Sequence, residues 1–265
     1  MSDDRKPLVH YRQDGRVAVF TLDAPPANTY SHEMMLELDA CILRARFAKE
    51  VQVIVITGQG EKFFCAGADI GMLQDADPTY KYYFCLHANE TISRLEQTPK
   101  LVIAALNGHT VGGGLEVAMA ADLRIARKDC GKFGLPEVAL GVMPGTGGTQ
   151  RLARMLGKSK AIELMVSGET FGTDRALELG IVNQVFDGED FMASVMDYAR
   201  SFTTPGKAAM AVGHIKRSVQ SGTDLPLEAG LTLERELQAK LFGSEDAQEG
   251  IRSYNDKRKA EFEGS

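Results

Sequence analysis

Residues 51–57 (VQVIVIT) and 101–106 (LVIAAL) are almost wholly apolar, and 123–126 is a shorter run of the same kind. A strand with one face in water alternates apolar and polar residues, so runs like these belong in a sheet covered on both faces. Between them, 79–97 and 114–121 carry a helical period. Strands alternating with helices imply an α/β core with largely parallel pairing. Upstream, 8–13 and 16–22 read as a hairpin turned by Asp14-Gly15. Ser31 is placed to cap a helix whose apolar positions (Met34, Met35, Leu38, Cys41, Ile42, Ala45) run to about Lys49. Beyond residue 145 helices dominate: 149–156, 160–166 and 174–179, then a last strand over 181–186. From Asp190 the pattern is helical, with breaks at 204–206 and 222–226. A boundary near Pro205 divides the expected architecture into a core, 1–204, and a helical region, 205–265, amphipathic enough to pack on the core or on a neighbouring subunit.

Several function classes find no support. The net charge is −6 and the pI about 5.5, and the densest basic group is Lys257-Arg258-Lys259, so nucleic acid is not an expected partner. Four scattered cysteines form no C-x-x-C pair, which leaves no zinc or disulfide framework and fits a reducing cytoplasm. The first seven residues have no apolar core and carry early acids, so neither a signal peptide nor a mitochondrial presequence is expected. No apolar run approaches the ~18 residues of a membrane span. Gly157-Lys158-Ser159 resembles the end of a P-loop, but the required earlier glycine is Leu152. His32-Glu33 begins a zinc-protease pattern that fails at Leu36, and no G-x-S-x-G or strand-following G-x-G-x-x-G exists.

Chemistry concentrates in three glycine-rich segments. Gly112–Gly114 ends a strand and opens a helix, where bare N–H groups attract negative charge. Glu116 sits one turn later among Leu115, Val117, Ala118 and Met119, where a carboxylate is costly unless paired or used. Glu137 is similarly isolated, after Pro136 and before Val138-Ala139-Leu140. Ala66-Gly67-Ala68-Asp69 opens a further helix and supplies a second set of N–H donors. Taken singly, each has an ordinary reading: tight strand–helix packing, a helix cap, a salt bridge on a loop. Taken together they place backbone donors and two acids where a carbonyl could be polarised and protons moved beside it.

These segments resemble the crotonase superfamily, and closely its enoyl-CoA hydratase branch. The resemblance runs through nearly the whole chain. It is carried by CAGADI (65–70), NGHTVGGGLEVAMAADLRIA (107–126), FGLPEVALGVMPGTGGTQRL (133–152) and SGETFGTDRALELGIVNQV (167–185). It implies a spiral of β-β-α turns with a helical C-terminal trimerisation region, assembled as a homotrimer or homohexamer. It implies oxyanion donors at the N–H groups of Ala68 and Gly113, and catalytic carboxylates at Glu116 and Glu137. Contacts to the acyl-CoA thioester are implied for Ala66, Asp69, Ile70, Leu135 and Gly145, and Tyr254 and Lys257 match positions that reach an adjacent subunit's coenzyme. No cofactor is implied beyond coenzyme A as part of the substrate, and no metal, since hydration moves no electrons off the substrate.

Retention of both glutamates points to hydration of a 2-enoyl-CoA. Glu116 would take a proton from water and Glu137 would supply the α-proton, an order the sequence leaves reversible. An enoyl-CoA Δ3,Δ2-isomerase using Glu137 alone, and an RNA-binding or scaffolding relative, are the alternatives. Two departures stand out. Gly71 replaces a lysine that often meets a coenzyme A phosphate in the hydratases, leaving Lys62 or a neighbour's Lys257 for that task. Leu135 replaces a polar residue before the Pro-Glu pair, an apolar surround expected to raise the proton affinity of Glu137. Residues 72–89, which line the acyl tail in this family, are aromatic-rich, which points to an unusual acyl group.

Overall fold

Val9–Asp14 (β1) and Val17–Leu22 (β2) form the antiparallel hairpin. From β2 onward the pairing is parallel: β2 with Val53–Gly58 (β3), β3 with Leu101–Leu106 (β5), β5 with Leu123–Arg127 (β7) and β7 with Gln184–Phe186 (β9). A second parallel sheet is made of Phe63–Cys65 (β4), His109–Val111 (β6) and Phe133–Gly134 (β8), in the order β4-β6-β8. The passes that begin at β3, β5 and β7 each give one strand to the large sheet, one to the small sheet, and then a helix or 3₁₀ turn, which is the expected spiral of β-β-α turns. The computed structural model describes residues 6–74 and 76–265. Most of the N-terminal stretch in which no leader is expected, residues 1–5, lies outside the described residues.

The apolar strands are covered on both faces, as their composition requires. Along β3, Ile54 and Ile56 face a core shared with His32–Phe47 (α1), Pro78–Gln97 (α3) and Gly113–Met119 (α4). The alternate residues Val53 and Val55 face a second core, closed by Phe191, Val195, Met196 and Ala199 of Phe191–Arg200 (α8). Ser31 caps α1 by accepting from the Met34 N–H at 3.3 Å. Asp77 caps α3 by accepting from the Tyr80 N–H at 2.8 Å, which starts that helix one residue earlier than its period indicates.

Three local readings shift. Asp14 remains in β1 opposite Val17, so the hairpin turn is Gly15-Arg16, with the positive φ of +58° falling on the glycine. The last strand begins at Gln184, because the Ile181 and Val182 N–H groups donate to the Ala176 carbonyl and close the end of Thr173–Glu178 (α7). The small sheet has strands of two or three residues, too short to register as a period.

The remaining helices are Ile70–Gln74 (α2), Gly148–Leu156 (α5), Lys158–Ser167 (α6), Ala209–Gly222 (α9), Leu227–Phe242 (α10) and Glu245–Asn255 (α11). The buried Lys216 of α9 donates to the Leu95 and Lys100 carbonyls at 2.8 and 3.0 Å and pairs with Asp122 at 2.9 Å. No described helix is long and apolar enough to cross a membrane.

Candidate active site

The small sheet delivers the site. β4 runs into residues 66–69, β6 into Gly112 and α4, and β8 into Pro136 and a 3₁₀ turn, Glu137–Leu140. All three exits open on one cavity of about 290 Å³, near the lower end of the ~300–1,000 Å³ typical of ligand sites.

Gly113 is the first residue of α4, so its N–H has no carbonyl one turn back. Ala68 bridges Tyr30 in parallel: the Tyr30 N–H donates to the Gly67 carbonyl and the Asp69 N–H to the Tyr30 carbonyl. In that pattern the Ala68 N–H faces away from Tyr30. Among the described residues neither the Ala68 nor the Gly113 amide has a backbone acceptor, and both residues line the cavity. The two segments touch: a Cβ built on Gly67 would lie 2.9 Å from the Gly113 nitrogen. Gly112, at φ +56°, turns the chain from β6 into α4 and passes the Glu137 carboxyl so closely that a Cβ there would lie 3.2 Å from Oε1.

Glu116 is 2 % exposed, and its Oε1 accepts the N–H groups of Thr146 at 2.8 Å and Gly148 at 2.6 Å, at the start of α5. That loop is itself held at several points. The Tyr30 hydroxyl meets Thr146 Oγ1 at 2.9 Å, Asn89 Nδ2 donates to the Gly145 carbonyl at 3.1 Å, and Arg151 Nη1 donates to the Thr146 carbonyl at 3.1 Å. Arg151 is fixed by a two-pronged pair with Glu96 at 2.8 and 2.6 Å. Burial raises the proton affinity of Glu116, while the Gly148 and Thr146 amides and the Arg151 and Lys81 charges oppose it. The helix terminus favours the anion there.

Glu137 lies in a different setting. Its Oε2 is buried with no protein partner, and burial, with a smaller push from the Glu116 charge, lifts its pKa to about 7. Around it Leu140, Val142 and Met143 form an exposed apolar rim. The rise agrees in direction with the apolar surround noted in the sequence.

Two backbone donors and two carboxyls therefore meet on one cavity. The sequence profile of the enoyl-CoA hydratase/isomerase family matches residues 12–265. The chain belongs to this family. It is 36 % identical to the short-chain-enoyl-CoA hydratase of Clostridium acetobutylicum over 94 % of this chain and 95 % of that one. It is 34 % identical to the 2,3-dehydroadipyl-CoA hydratase of Escherichia coli over 97 % and 98 %. An enoyl-CoA hydratase structure from Geobacillus kaustophilus superposes with a TM-score of 0.95 at 42 % identity, covering 98 % of both chains.

In this enoyl-CoA hydratase/isomerase family member, Ala66, Ala68, Ile70, Gly113, Glu116, Glu137 and Gly145 all line the cavity. Leu135 and Asp69 do not. Leu135 is 2 % exposed within the main core, and Asp69 caps α2 by accepting from the Met72 N–H at 3.1 Å. Tyr254 and Lys257 are exposed at the end of the C-terminal helices and do not line their own chain's cavity. The structure adds Tyr30, Thr146 and Lys81 to the wall. No glycine or acid pattern pointed to them. The aromatic run containing Lys81 was the one available signal.

Proposed function

We propose that the chain is an enoyl-CoA hydratase, adding water across the 2,3 double bond of a 2-enoyl-CoA to give a 3-hydroxyacyl-CoA. The reading is carried by the convergence of the Ala68 and Gly113 amides with two unequal carboxyls on one cavity. The thioester oxygen accepts hydrogen bonds from both amides, which makes C3 electrophilic and stabilises the enolate. One such donor is typically worth about 2.7–4 kcal/mol in the transition state. Glu116, anchored through Oε1, turns its other oxygen to water and in its carboxylate form takes its proton as the new C–O bond forms at C3. Glu137, neutral in part at pH 7, delivers its proton to C2. Exchange with solvent moves the proton from Glu116 and restores one to Glu137. This arrangement favours the order base Glu116, acid Glu137.

The acyl group is not fixed by likeness, since relatives of similar identity carry different substrate names. We further propose a homotrimer or homohexamer in the cytoplasm, acting in acyl-CoA or fatty-acid metabolism, with 1–204 as the catalytic core. Its support is the exposed apolar side chains Leu227, Phe242 and Ile251 along α10 and α11, together with the exposed Tyr254 and Lys257, the positions matched to a neighbour's coenzyme. Mixing the protein with crotonyl-CoA and following loss of the conjugated thioester absorbance tests the activity. Formation of 3-hydroxybutyryl-CoA is expected. An unchanged conjugated absorbance across crotonyl, branched, aromatic and dicarboxylic enoyl-CoAs would reject it. Size-exclusion chromatography with light scattering tests the assembly, and a monomer would reject it.

A further inference from the structure

Lys81 is the one cationic side chain among the described residues that line the cavity. It lies early in α3, where a positive charge opposes the helix dipole, so helix stability does not account for it. Its Nζ sits 5.4 Å from the Phe84 ring centroid. Phe84 stacks on Tyr30 at 5.9 Å, and Tyr30 forms part of the cavity wall. The ammonium therefore lies near the part of the wall that Tyr30 forms, and its charge reaches both glutamates. Among the described residues no carboxylate stands within the 4.0 Å of an ion pair with it. Apart from the two glutamates, Tyr30 and Thr146, the side chains sharing the cavity wall with it are apolar, among them Ile70, Leu73, Leu140, Val142 and Met143. An ammonium beside such a surface gains most when an anion shares it.

We propose that this cavity takes a 2-enoyl-CoA whose acyl chain ends in a carboxylate, with the Lys81 ammonium as the counter-charge that selects it. The inference rests on the hydratase reading and names its substrate class. It makes Lys81 a specificity residue, and hydration proceeds as described above, without a step at the lysine.

The test is a matched pair of substrates, hex-2-enoyl-CoA and hex-2-enedioyl-CoA, equal in carbon count and differing in a terminal methyl or carboxylate. The quantity read is the ratio of their kcat/KM values. Any effect of Lys81 on the glutamates, or on the coenzyme moiety, acts on both substrates and cancels. Wild type is expected to favour the diacid by at least tenfold. Lys81→Met should reduce the ratio by at least tenfold, and Lys81→Arg should retain most of it. A wild-type preference for the methyl-ended substrate overturns the proposal. So does an unchanged ratio in Lys81→Met, which would make the lysine a tuner of the glutamates, a contact to a coenzyme phosphate, or a solvated surface cation. The wild-type ratio stands even if a variant fails to fold. Turnover of neither substrate would reject the hydratase reading itself, a result distinct from turnover with the wrong ratio.

Discussion

The two acidic walls of the cavity are built on opposite plans. Glu116 is fully buried, yet one of its oxygens takes two main-chain N–H groups, and the loop that supplies them is tied down by Tyr30, Asn89 and Arg151. Glu137 is less buried, yet it keeps an unpartnered oxygen on a single 3₁₀ turn edged by apolar side chains. Both carboxyls hold a proton more tightly than a free glutamate, and what differs between them is the partners. Desolvation acts on both, and at Glu116 backbone donors, Arg151 and Lys81 work against it. One cavity thus sets two carboxyls of the same residue type in different surroundings.

The largest expected effects strike the carboxyls. Glu116→Gln and Glu137→Gln should each lower kcat by about 10²–10⁴-fold with substrate binding retained, measured by steady-state hydration kinetics. The double variant should lose less than the product of the two, because the pair acts on one substrate as a unit. Near wild-type rates in both single variants would end the two-plan comparison. Next comes the donor wall. Gly67→Ala, with a Cβ 2.9 Å from the Gly113 nitrogen at φ +96°, should displace an oxyanion amide and cost about 10²–10³-fold in kcat. An unaffected Gly67→Ala would show that the two amides do not share one oxygen.

Tyr30→Phe removes one hydrogen bond behind Glu116, worth about 0.5–1.5 kcal/mol, and should slow turnover by roughly 2–10-fold. The sharpest but smallest test is pH. Hydration kcat/KM should fall as pH rises through about 7, since Glu137 must carry a proton, and Glu137→Gln should lose that limb. The folded value lies above the ordinary 4.5, so the stability it contributes is complete below 4.5 and is lost as pH rises through 7. Melting curves should therefore show Glu137→Gln gaining on wild type between pH 5 and pH 8. A constant gap would mean the acid is not held neutral by the fold.

Long apolar strands and amphipathic helices were readable because burial writes a period over many residues. Val53 to Gly58 carries its double-sided burial in its composition. β4, β6 and β8 were not readable, because two or three residues hold no period and their pairing joins segments tens of residues apart. At the site, Glu116 and Glu137 were visible as acids stranded among apolar neighbours. Tyr30 was not, since its sequence neighbours make it one more loop aromatic. Its place beside Gly113, where an added Cβ would strike its hydroxyl, exists only after folding. Lys81 was hidden for the same reason: a lysine among tyrosines reads as a solvated helix face until the cavity behind it is seen.

The hidden ammonium of Lys216 joins α9 to the far end of α3, the helix whose other residues, Asn89 and Glu96, brace the loop that holds Glu116. Stripping one partner from a shielded ion pair usually costs about 3–5 kcal/mol. Cutting the polypeptide after residue 204 would leave Asp122 without the Lys216 cation and take the ammonium from the Leu95 and Lys100 carbonyls. The tail should therefore behave as a keystone whose removal loosens catalysis from behind. Proteolytic nicking near Pro205 should release activity and fold together, never a working stump.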